Sequence, residues 1–247
     1  MTPPLANCDQ TEGHLLGGRL RYAQPRQGFR SGIEPVLLAA SVPARPSQRV
    51  LEAGSGAGAT LLCLAARVPE LRGVGVEQDP ALVLLASQNA EANGLADLAF
   101  IAADIVALPL LGGFDHACAN PPYHPAAGTP SPNASRRVAK QSSQDLLARW
   151  AAALAAVLRP RGTLTFIVPA AVQPEATAAF AAAGCRPVSV LPLWPKAGVP
   201  AKLVLLRGIK GGRSSFRLLH GLVLHGPDGG YTEAAEAVLR GTQPLML

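Results

Sequence analysis

Between Val50 and Gly58 the chain reads Val-Leu-Glu-Ala-Gly-Ser-Gly-Ala-Gly, a short apolar run that ends in three alternating glycines. The helical pattern of Leu61, Leu62, Leu64, Ala65 and Val68 follows directly. A buried strand, a glycine turn and a helix in that order confine the chain to few folds, because parallel strands need crossovers that cover the faces of their sheet. The unit then recurs. Gly73 to Glu77 reads as a second buried strand, and Asp79-Pro80 starts a helix with Asp as N-cap and Pro in the first turn. That helix continues through Leu82, Leu85, Ala86 and Asn89 to a stop at Gly94. Further strands are expected at residues 98–102, 114–119 and 163–168, and helices at 145–158 and 174–183. Residues 188–193 and 203–207 suit an antiparallel pair around the Pro/Gly-rich stretch 195–200, and a strand-like 218–224 with a helical 233–240 forms an appended edge. The expected fold class is α/β, with a mainly parallel seven-stranded sheet and an antiparallel edge strand. Residues 1–45 are expected to form a small N-terminal cap and residues 46–247 the main domain.

Composition narrows the class. Apolar residues make up 49% of the chain and charged residues 15%, too hydrophobic a mixture for disorder. No apolar run reaches the roughly 18 residues that a membrane span needs. Met1 to His14 lacks both the basic start and the apolar stretch of a secretory signal, so a cytoplasmic location without membrane contact is expected. Cys8, Cys63, Cys118 and Cys185 form no CxxC pair; they read as reduced packing residues, and no metal site is expected. Charge is unevenly divided. Residues 50–119 carry two arginines against eight acids, whereas residues 120–220 carry thirteen Arg and Lys against two acids. Such a division suits a chain that holds a small ligand in its first half and faces a polyanion with its second. A solvated surface is the bland alternative.

The glycines of Gly54-Ser55-Gly56-Ala57-Gly58 let the backbone approach a nucleotide-like ligand without Cβ interference. Gly54, Gly56 and Ala59 also satisfy the dinucleotide fingerprint, which admits a nicotinamide enzyme. Glu52 argues against that reading, since a carboxylate there repels a pyrophosphate but pairs with the ammonium of an amino-acid-like ligand such as S-adenosylmethionine. Glu77 closes the second strand 21 residues after Gly56, where an acidic side chain can accept both hydrogen bonds of a ribose diol. Asp104, after the third strand, suits either an adenine amino group or a helix cap. Asn120-Pro121-Pro122-Tyr123 is the most specific signal. An exocyclic amine or amide is a poor nucleophile because its lone pair is delocalised, and acceptors such as the Asn120 side-chain oxygen and the Pro121 carbonyl can draw on its hydrogens as the nitrogen becomes tetrahedral. The prolines stiffen the turn, and Tyr123 offers a stacking face for a planar base.

Glu52 to Gly58, Glu77, Asp104 and Asn120 to Tyr123, in this order, resemble class I S-adenosylmethionine-dependent methyltransferases of the amino-methylating Asn-Pro-Pro-Tyr type. A narrower resemblance, carried by Gly28 to Ala40, Leu191 to Pro195, Leu222 to His225 and Tyr231 to Glu233, points to the bacterial valine-tRNA adenine-37 methyltransferases. It differs from that family's usual Thr-Asp-Ala at Ile33-Glu34-Pro35. The resemblance implies a Rossmann-like fold, S-adenosylmethionine as cofactor and tRNA as partner. It implies Glu52, Gly54, Ser55, Gly56, Glu77 and Asp104 as cofactor-binding residues, and Asn120, Pro121 and Tyr123 as the catalytic loop. The basic cluster Arg136, Arg137 and Lys140, with Arg149, Arg159 and Arg161 nearby in sequence, is expected to hold RNA phosphates. A protein glutamine-amide methyltransferase uses the same four-residue loop and is the rival enzyme; a methyltransferase-like RNA-binding module without activity is the non-enzymatic one.

Overall fold

A computed structural model describes residues 10–27, 32–107, 112–122 and 134–247, with side chains of the last stretch from Asp145 onward. The chain opens with a hairpin, β1 (Gln10–Leu15) and β2 (Leu20–Pro25), then helix α1 (Glu34–Ser41). The alternating part follows as β3 (Arg49–Ala53), α2 (Ala59–Arg67), β4 (Arg72–Glu77), α3 (Pro80–Ala92), β5 (Leu98–Ala102), β6 (Phe114–Ala119), α4 (Ala134–Val157), β7 (Leu158–Pro169) and α5 (Gln173–Ala182). The chain then runs through β8 (Cys185–Lys196), β9 (Leu203–Lys210), β10 (Arg217–Leu218), β11 (Leu222–His225) and α6 (Glu233–Leu239).

The α/β fold with a mainly parallel sheet is as the sequence indicates, but the sheet is larger and its antiparallel strand sits elsewhere. Nine strands run in the order β10-β8-β9-β7-β6-β3-β4-β5, with β11 also paired to β8. Seven of them form the expected sheet, and β10 and β11 extend it by pairing in parallel with β8. The expected antiparallel edge strand is β9, and it is not at an edge. It lies between β7 and β8 and is antiparallel to both. Inserting a strand of opposite sense there lets the short turn after β8 lead straight back into the sheet, since antiparallel neighbours need no helical crossover.

Burial explains the layering. Every residue of β6 is buried, as a central parallel strand covered on both faces must be. On one face Leu37, Leu38, Leu61, Leu62, Leu64 and Val238 form a core that also takes in Leu16, Leu20 and Tyr22 of the hairpin region. On the other, Leu147, Leu154 and Phe180 of α4 and α5 pack on Phe114 and Phe166 of the sheet. The Phe166 and Phe180 rings meet edge to face at 4.9 Å. Asp79 caps α3 as expected, its Oδ1 accepting from the Ala81 N–H at 2.8 Å. Among the described residues no helix is long and apolar enough to cross a membrane.

Sheet order also fixes where a ligand can bind. From β3 the chain winds outward through β4 to β5, then crosses back to β6 on the other side of β3. Side chains and turns at the carboxyl ends of β3 and β6 therefore flank the crevice at a topological switch point, the preferred ligand site of open α/β sheets.

Candidate active site

Ala53 of β3 is in register with Ala119 of β6, so the residues that follow them, Gly54 and Asn120, leave adjacent strands at the same edge of the sheet. The glycine turn and the Asn-Pro-Pro loop thus share one crevice. Gly54, Gly56 and Gly58 all have positive φ, at +66°, +53° and +88°. A Cβ on Gly54 would stand 2.9 Å from Cη2 of Trp150, whereas one on Gly56 would meet nothing within 4 Å. The turn is packed on its α4 side and open at its middle.

Glu77 reaches that turn from the end of β4. Its Oε2 accepts from the Gly56 N–H at 3.0 Å, and its Oε1 from the N–H groups of Gln78 (2.7 Å) and Asp79 (3.1 Å). A carboxylate offers about four acceptor positions, so three are taken and the carboxylate remains half-buried beside the turn. Glu52 is buried, facing α2 among Thr60, Cys63 and Cys118. Burial raises its carboxyl to about pH 8; the Thr60 hydroxyl and the Leu61 N–H offset part of that, and the Glu77 charge adds to it. Its Oε2 has no hydrogen-bond partner, and neither has the buried Ser55 Oγ. Asp104 is exposed, and its Oδ1 accepts from the Val106 N–H at 2.9 Å, closing a turn over residues 105–107 and not capping a helix there.

Asn120 is half-buried, Pro121 buried and Pro122 exposed. Tyr123 lies outside the described residues. Arg136, Arg137 and Lys140 fall in the first two turns of α4, where only the backbone is described. Arg149 is exposed on the same helix. The basic cluster expected from sequence is, however, split. Arg159 and Arg161 begin β7, which is parallel to β6, and so lie at the edge of the sheet opposite to Asn120. Arg159 there pairs with the buried Asp115 (Nη2 to Oδ1, 2.6 Å). Beside that pair the buried His116 ring meets Thr163 Oγ1 at 2.8 Å and Gln48 Oε1 at 2.9 Å. Neighbours in sequence at a strand start are separated from the site by the length of the strand, and these two arginines are removed from the candidate phosphate contacts.

Lys196 and Lys202 flank the turn between β8 and β9 at the Asn120 edge, exposed, a feature hidden in sequence by the intervening sheet order. Trp150 was likewise missed, because its contact with Gly54 depends on the packing of α4.

The family model described as the methyltransferase small domain matches residues 34–176. The chain belongs to that family. It is a methyltransferase of class I fold, and S-adenosylmethionine is its methyl donor. Among curated relatives, it is 30% identical over 199 residues to a tRNA1(Val) (adenine(37)-N6)-methyltransferase of Actinobacillus succinogenes, covering 78% of this chain and 81% of the relative. It is also 40% identical over 79 residues to a release factor glutamine methyltransferase of Rhodospirillum rubrum, covering 32% of this chain and 24% of that one. Among solved structures, protein Atu636 of Agrobacterium tumefaciens, titled a predicted O-methyltransferase, superposes with a TM-score of 0.74 at 21% identity, over 87% of this chain and 99% of that one. The residues present fit the donor. Two buried polar atoms near the turn, Glu52 Oε2 and Ser55 Oγ, lack partners, and the space beside Gly56 is open.

Proposed function

We propose that this enzyme methylates the exocyclic amino nitrogen of an adenine in RNA, a tRNA anticodon-loop adenine in the first instance, in the cytoplasm. The observation that carries the reading is the adjacency of Asn120 to the glycine turn across the β3–β6 pair, which sets an amine-directed acceptor beside the donor cradle. Coverage of 81% of the Actinobacillus succinogenes relative supports the tRNA target over a release factor, for which coverage is 24% of the Rhodospirillum rubrum relative and 51% of a Deinococcus radiodurans one.

Glu52, through its unpartnered Oε2, takes the donor's ammonium, and Gly54, Ser55 and Gly56 line its methionine end. Glu77 accepts from a ribose hydroxyl at the acceptor position that its three backbone bonds leave, and Asp104 takes the adenine amino group. When bound, the donor supplies an activated methyl group on a sulfonium. Asn120 and the Pro121 carbonyl accept the two hydrogens of the target amine, aim its nitrogen lone pair at that methyl and stabilise the charge that develops on nitrogen. Direct displacement, in which the sulfur departs as a neutral thioether, requires no strong base, because the methylated nitrogen, cationic at first, gives its surplus proton to water. Tyr123 stacks on the target base, contributing about 1–3 kcal/mol. A base in a structured loop must be splayed out to reach the crevice. Arg136, Arg137 and Lys140, just after the catalytic loop, hold phosphates and fix the RNA's register.

The test is transfer of label from S-adenosylmethionine into total small RNA from a strain lacking the gene, followed by nucleoside analysis. Labelled N6-methyladenosine confined to tRNA is expected. Label absent from RNA but present on a glutamine side chain of a protein substrate would replace this reading with its rival.

A further inference from the structure

The hairpin is docked on α3 through two asparagine side chains. Asn93 Oδ1 accepts from the Arg21 N–H at 2.9 Å while its Nδ2 donates to the Arg21 carbonyl at 2.8 Å. Asn89 repeats the pattern on Ala23, with both bonds at 2.9 Å. Residues four apart on a helix stand about 5–6 Å apart. Alternate residues of a strand are spaced by roughly 6.8 Å, at about 3.4 Å per residue. The two spacings match closely enough for a pair of primary amides to act as a third strand on the outer edge of β2.

Asn89 does one thing more. Its second Nδ2 hydrogen goes to the Ala57 carbonyl at 3.0 Å, inside the glycine turn, and the residue is only 4% exposed. Asn93 spends its remaining hydrogen on the Asn89 carbonyl of its own helix, at 2.7 Å. Ala57 stands between Gly56 and Gly58, both at positive φ, and the Ala57–Gly58 peptide is held from both sides, its N–H donating to the Ser55 carbonyl at 2.8 Å and its carbonyl accepting from Asn89. Ala57 is itself buried, so without Asn89 its carbonyl loses the side-chain partner that ties the turn to α3, and only the Ser55 bond is left to set that peptide.

We propose that Asn89 is a positioning residue for donor binding, one side-chain amide that fixes the glycine turn and ties it to the hairpin. The proposal rests on the reading of that turn as the donor cradle. Asn89 acts through Ala57 and not on the acceptor, because Asn120 lies on a different strand across β3. The amide cannot be replaced by a carboxylate: Asp at 89 sets an oxygen against the carbonyls of both Ala23 and Ala57.

S-adenosylhomocysteine binding is measured by calorimetry on the wild type, Asn89→Leu and Asn93→Ala, alongside donor KM and kcat on small RNA. Asn89→Leu is expected to raise donor Kd and KM about tenfold, the weight of roughly one hydrogen bond, with kcat within twofold of wild type. Asn93→Ala, which loosens the hairpin but leaves Ala57 held, is expected to change donor Kd less than twofold. Equal shifts in the two variants, or no shift in Asn89→Leu, overturn the proposal and make the pair a hairpin dock only. If Asn89→Leu fails to melt cooperatively, Asn89→Asp, which keeps the size and the Ala23 N–H acceptor, is held to the same criterion. A wild type that does not bind S-adenosylhomocysteine contradicts the donor cradle itself, and the role of Asn89 falls with it.

Discussion

Glu77 Oε2 accepts a hydrogen bond from the Gly56 N–H at 3.0 Å, joining the end of β4 to the middle of the glycine turn. The same carboxylate is the one proposed to hold the donor's ribose, so it both shapes the turn and touches the ligand. Glu77→Ala removes a charged acceptor from three N–H groups and from the ribose. Hydrogen bonds to charged groups contribute about 1.5–3 kcal/mol each. An increase in S-adenosylhomocysteine Kd of roughly ten- to a hundredfold is expected by calorimetry. Unchanged affinity would remove Glu77 from the donor site.

Glu52 makes stability depend on pH in an unusual direction. Its carboxyl lies at about 8 in the folded chain and 4.5 by its ordinary value, so the unfolded chain ionises it first. The resulting penalty is absent below pH 4.5, grows as pH rises and is complete above about 8. At pH 7 it amounts to roughly 3 kcal/mol, at about 1.4 kcal/mol per pH unit. Glu52→Gln is therefore expected to be more stable than wild type at pH 7 without donor, with the gap closing by pH 5. Urea denaturation at the two pH values checks this. A cation beside the carboxyl favours its charged form, so donor binding at pH 7 is also expected to release a proton in wild type and none in Glu52→Gln.

His116 acts at the other end of the scale. Burial holds its ring down to about 4, against an ordinary value of 6.5, with the Asp115 charge opposing the shift and Arg159, Arg207 and Arg45 adding to it. Neutral His116 contributes no penalty above pH 6.5. As pH falls from 6.5 toward 4 the unfolded chain takes up the proton first, and stability drops. A fall in Tm between pH 6.5 and 4.5 that is smaller in His116→Asn is expected.

Arg159 separates surface charge from RNA contact. Arg159→Gln leaves Asp115 with the Arg49 N–H at 2.8 Å as its remaining bond. The arginine is about half exposed, so the cost is expected to be no more than about 1 kcal/mol. RNA methylation at low salt is expected to be unchanged, whereas Arg136→Gln raises KM for RNA. Equal losses in the two variants would return the β7 arginines to the RNA surface.

Gly54 carries a steric condition that a double-mutant cycle isolates. Gly54→Ala forces a side chain into a left-handed conformation, costing about 1–2 kcal/mol, and sets its Cβ against Trp150. In a Trp150→Leu background the same change is expected to cost less. Equal costs in both backgrounds would mean that Trp150 does not restrict the turn.

Most strands and helices of the alternating region are legible because each is encoded locally, although α4 begins at Ala134, eleven residues ahead of the expected 145. The apolar run from Val50, the Asp79-Pro80 start and the glycine stops mark their own boundaries, and β5 and β6 fall on the expected residues. What local pattern does not encode is which strands are neighbours. The place of β9 between β7 and β8 and the separation of Arg159 from Arg136 both follow from sheet order. The β1–β2 hairpin was not legible either. Its outer strand is largely exposed, and it is held by Asn89 and Asn93 through backbone groups that leave no mark on the residues of β2. The sequence ends a helix at Leu158 and starts the next strand at Thr163, yet Leu158 already starts β7, with Arg161 accommodated at φ +68°.

The central claim is that Asn120 performs the amine-directed step beside a donor cradle that it does not build. Asn120→Ala tests it by two readings on one protein, turnover on small RNA and affinity for S-adenosylhomocysteine. Loss of a preorganised polar group at the reacting centre lowers kcat by about 10²–10³. A loss of that size with donor affinity within twofold of wild type is the expected result; turnover close to wild type would contradict the role given to Asn120.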